Sequence, residues 1–220
     1  MISPQALRYV LPFLVFVAFL AGGSYIPVPD VWEYPLRVAV MAAVIWYFSR
    51  DVLDLRIRNW PGTIALGIGV FVIWVAPDAL WPHYRESVLF QNQITGKIVS
   101  SVPEHLRSSL LVLVFRTIRA TLIVPIVEEL FWRAWMLRWI INPEFEKIQL
   151  GAYAPAAFWV TAALFASEHG PYWEVGLIAG IAYNWWMIRT KSLGDCILAH
   201  AITNGLLSGY VMFTGQWQYW

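Results

Sequence analysis

The chain has 220 residues, of which 59% are hydrophobic and only 13% charged, where a soluble domain carries roughly 25% charged residues. That composition excludes an ordinary soluble globule, the net charge of +1 gives no basis for nucleic-acid binding, and the single Cys196 excludes an intrachain disulfide and a cysteine metal site. The expectation is an all-α, polytopic membrane helical bundle forming a single integral membrane domain over residues 1–220.

Apolar segments fall at about 7–27, 34–49, 61–77, 109–138, 151–169, 173–189 and 194–214. A span needs roughly 20 residues, or about 17 at minimum, which predicts about seven or eight transmembrane helices. The first segment begins after Arg8 and ends in Ala-Gly-Gly-Ser, a pattern that mimics a signal peptide but is read as an uncleaved span. The second and sixth are short. Between the third and fourth lies a polar stretch, Pro82 to Arg107, with room for a short surface helix or an eighth span. The fourth is long and holds Pro125, which predicts a kink or break there. Basic residues follow the second, fourth and sixth segments, so the positive-inside rule predicts a cytoplasmic N-terminus and an external C-terminus for seven spans.

The fourth segment carries Glu128-Glu129-Leu-Phe-Trp-Arg133. An ionisable group at bilayer depth costs roughly 2.5 to 3.5 kcal/mol even on the lenient insertion scale, so such a cluster is presumed functional. Residues four apart share a helix face. Glu129 and Arg133 are so spaced and predict a supporting ion pair. Glu128 is rotated by about 100°, alongside Trp132, and is left free for chemistry. The alternative is that both glutamates only pin helices together.

His169 ends the fifth segment, one turn after Phe165 and next to Glu168, which reads as an interfacial or supporting carboxylate. His200 and Asn204 lie one turn apart on the seventh, where both can donate hydrogen bonds to a single oxygen. Interhelical polar contacts are the plainer reading of such residues. Asp195 reads as an N-cap, and Cys196 as packing rather than as a nucleophile paired with His200. Arg116 and Arg119 read as cations snorkelling to the interface, with Glu86, Glu104, a substrate carboxylate or a lipid headgroup as alternative partners.

Taken together, a carboxylate, two imidazoles and a carboxamide are the parts of a water-activating hydrolase. Glu128 and His169 can share a water and remove its proton, while His200 and Asn204 can stabilise an oxyanion. One geometric difficulty stands against this. Straight helices leave His169 near the external end of its segment and His200 roughly 10 Å from the cytoplasmic end of its own.

The ordered motifs Glu128-Glu129…Arg133, Phe165…His169 and His200…Asn204 resemble those of the CPBP family, the CAAX proteases and bacteriocin-processing enzymes. Its members include the Ras-converting CAAX endopeptidase and compact bacterial proteins, some accompanying exosortase-type sorting systems. The resemblance covers a motif-bearing core of about 110–210. It implies an all-α membrane bundle with glutamate-dependent intramembrane endopeptidase activity. Glu128 and His169 inherit the water-activating role, and His200 and Asn204 the oxyanion hole. Glu129 and Arg133 are supporting residues, and Trp132 and Phe165 line the apolar side of the substrate cavity. The implied partners are membrane lipids and a membrane-anchored or lipidated peptide or protein, in a bacterial cytoplasmic membrane, with no cofactor. Two other readings stay open: a zinc-dependent membrane peptidase with His169, His200 and a glutamate as ligands, and a non-catalytic immunity or scaffold protein. The sequence leaves the oligomeric state unassigned.

Overall fold

Large apolar side chains stand exposed along the helices while several charged ones are buried in the computed structural model of the chain, which describes residues 3–22 and 28–220. Phe213 is 97% exposed, whereas Glu129 and Arg133 are 0% exposed. Lipid rather than water satisfies such an exterior. Seven principal helices are present among the described residues, and no strand. They are α1 (Pro4–Gly22), α2 (Asp30–Val44, continued by a π-helical turn Ile45–Ser49), α3 (Trp60–Leu80), α4 (Leu110–Ile141), α5 (Pro155–Ser167), α6 (Trp173–Thr190) and α7 (Leu193–Thr214). Residues 23–27, the end of the first expected segment, lie outside the described residues.

The all-helical class stands, and four helices (α1, α3, α4 and α7) are long and apolar enough to cross a membrane. The other three fall short of that measure. α2 is 15 residues long and carries Asp30, Glu33 and Arg37. α5 has only 13 residues. α6 has 18 but includes Glu174, Asn184 and Arg189.

The polar stretch after α3 holds no further span. It folds through short 3₁₀ turns, Tyr84–Glu86 and Glu104–Leu106, and an isolated bridge between Asn92 and Gly96. Arg85, 3% exposed, anchors it. Its guanidinium meets Asp78 Oδ2 at 2.8 Å and Glu174 Oε1 at 2.7 Å, and donates to the Pro171 carbonyl at 2.8 Å. It also lies 4.2 Å from the centre of the Tyr172 ring. One arginine thereby ties the end of α3 to the start of α6 and fixes the turn that follows His169.

Helix α7 is seated by its own first turn. Ser192, not Asp195, is its N-cap: the Ser192 side chain accepts the Asp195 backbone N–H at 3.2 Å. The Asp195 carboxylate instead reaches α3, accepting the backbone N–H groups of Arg58 (3.1 Å) and Asn59 (3.2 Å) and the Thr63 hydroxyl (3.0 Å). Spacing from Gly194 predicts the local cap; a carboxylate aimed at a neighbouring helix start leaves no local signature. Farther along, Gly67 allows the two helices to touch, since a Cβ there would lie 2.6 Å from the Ala199 carbonyl oxygen. Because the buried Asp195 carboxylate accepts from three donors, Asp195→Ala is expected to destabilise the protein by about 3 kcal/mol, read as a lowered midpoint in thermal unfolding of the detergent-solubilised chain.

Candidate active site

Four of the residues singled out by spacing line one cavity of about 180 Å³: Glu128 from α4, His169 from the turn after α5, and His200 and Asn204 from α7. Liquid water occupies about 30 Å³ per molecule, so several fit. The geometric difficulty disappears because α5 is short. Thirteen residues rise only about 20 Å, so α5 ends early enough to bring His169 into the same cavity as His200.

Helix α4 does not break at Pro125; it widens. Two π-helical stretches, Arg119–Ile123 and Leu130–Met136, flank the short α-helical turn that carries both glutamates. Such bulges concentrate at functional sites. In the first, the Val124 N–H bonds the Arg119 carbonyl. Pro125, the next residue, has no N–H to offer Ala120. The orphaned Ala120 carbonyl takes its hydrogen bond from Asn204 Nδ2 at 2.9 Å instead. The proline thus creates the acceptor that orients the carboxamide, and one N–H of that amide remains for another oxygen.

The two glutamates separate as their spacing predicts. Glu129 Oε1 accepts from Arg133 Nη1 at 3.2 Å, with both side chains fully buried. The same oxygen meets His200 Nδ1 at 2.8 Å, a bond that sequence spacing does not reveal. His200 therefore presents Nε2 away from Glu129, 4.0 Å from Glu128 Oε2. That oxygen has no hydrogen-bond partner among the described protein atoms, although it is buried. The Tyr183 ring stacks on His200 with centroids 5.1 Å apart, and its hydroxyl donates to Thr203 at 2.8 Å. Tyr183 also lines the cavity and went unnoticed in the sequence because one tyrosine in an apolar helix carries no spacing signal.

His169 is held through Nδ1, 2.7 Å from the Phe165 carbonyl. A carbonyl only accepts, so Nδ1 carries the proton and Nε2 keeps its lone pair. A carboxylate oxygen of Glu128 and a ring nitrogen of His169 lie within 4.8 Å of one another, a gap that one bridging water spans. Phe165 does more than line the cavity. Its ring sits 4.7 Å from that of His169 and 6.2 Å from that of His200, and the Arg133 guanidinium lies 4.2 Å from its centre. The motif spacing of Phe165 and His169 thus supplies both the carbonyl that fixes the tautomer and the ring that packs both imidazoles.

Trp132 is placed elsewhere. It is not among the cavity-lining residues. Its Nε1 donates to Glu168 Oε1 at 2.9 Å, and its ring packs edge-on against Phe13. The π-helical register of Leu130–Met136 shifts it from the direction that α-helical spacing predicts. Glu168 also approaches Glu128 and His169, and these three offer ligand atoms within 4.8 Å of one another. Cys196 is buried, with Sγ 3.7 Å from the Tyr183 carbonyl, and it packs rather than pairing with His200.

Residues 110–206 match the family model described as type II CAAX prenyl endopeptidase Rce1-like. The match supports the resemblance of this segment to the CPBP family. The matched range holds all three motifs and begins at the first residue of α4. That family implies a membrane peptidase or hydrolase. No curated protein and no solved structure matched it.

Proposed function

We propose that the chain is an intramembrane endopeptidase that hydrolyses a peptide bond of a membrane-anchored or lipidated substrate without a metal. The observation that carries the reading is the shared cavity, in which Glu128 keeps an unpartnered carboxylate oxygen within one water's span of His169. Water held between these groups loses a proton to them as its oxygen attacks the scissile carbonyl carbon. The carbonyl oxygen becomes an oxyanion facing His200 Nε2 and the spare N–H of Asn204. His200 is held through Nδ1 by Glu129 Oε1, so the Glu129–Arg133 pair positions its Nε2 edge toward the oxyanion. The carbon–nitrogen bond then breaks, the stored proton goes to the departing amine, and the new carboxylate leaves. In this reading the helices beyond the four apolar spans also lie within the bilayer, giving seven, in a bacterial cytoplasmic membrane.

The test compares membrane peptidomes of cells carrying the wild-type chain or Glu128→Gln. Peptides that appear only with wild type support the reading, and identical peptidomes sink it. Once a substrate is in hand, Asn204→Ala is expected to lower kcat about 10²- to 10³-fold with little change in KM, measured by steady-state cleavage in nanodiscs.

A zinc-dependent mechanism is the second reading, favoured by the convergence of Glu128, Glu168 and His169. The set differs from the one suggested by sequence, with Glu168 standing where His200 was expected. Stoichiometric bound zinc, with activity lost to a chelator and restored by zinc, would replace the metal-free mechanism. A scaffold role fits the unpartnered Glu128 oxygen poorly, since polar groups kept only for packing are normally satisfied.

A further inference from the structure

A second cavity, of about 380 Å³, lies between α4, α2 and α1, beside the one that holds Glu128. Arg37, Arg116 and Arg119 line it against a single carboxylate, Glu33. Glu33 is taken by Arg37 in an i,i+4 ion pair. Arg116 and Arg119 are three apart on α4 and so share a face. Neither forms an ion pair among the described residues, and residues 1–2 and 23–27 contain no carboxylate in sequence. The backbone oxygen of Trp220, in the same wall, accepts the Ser101 N–H at 2.6 Å. Arg119 is 7% exposed, and the Nε groups of Arg37 and Arg116 are buried without a hydrogen-bond partner. The two guanidinium groups of α4 meet rings instead: Trp220 lies 5.2 Å from that of Arg116, and Tyr34 5.9 Å from that of Arg119. Aromatic faces attract a cation but leave its charge in place. Two uncompensated cations in such a cavity call for an anion.

We propose that the cavity is a phosphate site, in which Arg116 and Arg119 together bind a phosphoryl group that bears about two negative charges. Charge and geometry select phosphate over a carboxylate. A carboxylate brings one charge and leaves one guanidinium unmatched. A phosphate monoester brings about −1.5 to −2 and three acceptor oxygens, enough to receive both planar forks and the free Nε of Arg116. The setting points to a lipid as its carrier. Phe16 and Leu20 of α1 form one wall, and Leu20 is 56% exposed on the apolar exterior, so an acyl chain can lie along α1 with its headgroup inside. The level agrees. The 32 residues of α4 rise about 48 Å, roughly 18 Å more than a hydrocarbon layer of about 30 Å. Centred in that layer, α4 holds about its first six residues outside it, and Arg116 comes next, at headgroup depth. Inorganic phosphate offers the same chemistry without the chain. The site is independent of the hydrolytic reading of the Glu128 cavity and is detected without turnover.

The test follows thermal unfolding of the full-length protein, stripped of lipid in a neutral detergent. The probes are dioleoyl phosphatidic acid, dioleoylglycerol, oleate and inorganic phosphate. Phosphatidic acid is expected to raise the unfolding temperature of wild type and of R50Q/R189Q, which loses two exposed arginines outside the cavity. Half of that shift is reached at a concentration about tenfold or more below the one R116Q/R119Q requires. R116K/R119K keeps part of the shift, which separates lost charge from a misfolded variant. Arginine-dependent stabilisation by phosphatidic acid but not by inorganic phosphate supports the site with a lipid as carrier. The same stabilisation by inorganic phosphate supports it with a soluble one. Oleate acting as strongly as phosphatidic acid overturns the proposal in favour of a carboxylate site. Dioleoylglycerol acting as strongly overturns it by showing that the acyl chains suffice. A shift that persists undiminished in R116Q/R119Q, or no shift with either phosphate probe, overturns it as well.

Discussion

Glu128→Gln is expected to lower kcat by about 10² to 10⁴-fold, the usual share of a general base, without lowering the unfolding temperature. The two halves of that expectation have one source. Glu128 Oε2 is buried and makes no hydrogen bond to the protein, so the carboxylate pays for its burial without a compensating contact. Gln has the same shape and no charge, and it relieves that cost while removing the group proposed to accept water's proton. A purely structural glutamate behaves in the opposite way, losing stability first and activity as a consequence. Thermal unfolding in detergent, together with cleavage of whatever substrate the peptidome comparison yields, separates the two. A variant that unfolds early, or one that cleaves at the wild-type rate, would remove Glu128 from the role of base.

The sequence exposes this site because the membrane makes polar residues costly. Glu128, Glu129, Arg133, His169, His200 and Asn204 stand out against apolar helices, and helical spacing alone divides the ion pair from the unpaired carboxylate. The helical class follows from the same contrast. Much of what joins the helices is not legible. The bond between His200 and Glu129 links residues 71 apart in the chain, and no local period encodes it. The displacement of Trp132 depends on a π-helical register that an α-helical wheel does not contain. Arg116 and Arg119 look like snorkelling cations because sequence shows their distance from the span end but not that α2 covers them. The hidden Asp195 carboxylate and the Arg85 anchor share this character: each is a side chain whose partners belong to another helix. The Pro125 signal was visible, but its consequence was not. The proline redirects one carbonyl to Asn204 instead of breaking α4.

Arg133→Met is expected to cost about 3 to 5 kcal/mol of stability, the usual penalty for removing one partner of a buried pair. Arg133 and Glu129 are 0% exposed, and Glu129 Oε1 holds both the guanidinium and His200 Nδ1. Without the guanidinium, the Glu129 carboxylate loses the partner that fixes it, and the error passes into the cavity, because the same oxygen holds His200 Nδ1 and so aims the proposed oxyanion donor. Loss of kcat should therefore accompany loss of stability, in contrast to Glu128→Gln, where the two part. Glu129→Gln combined with Arg133→Met removes both charges and is expected to recover much of the unfolding temperature while kcat stays low. The double-mutant cycle, read by thermal unfolding and by single-turnover cleavage, isolates the coupling. Additive stability losses, or a double variant with restored turnover, would show that the pair does not tune His200 and serves only to join α4 to its neighbours.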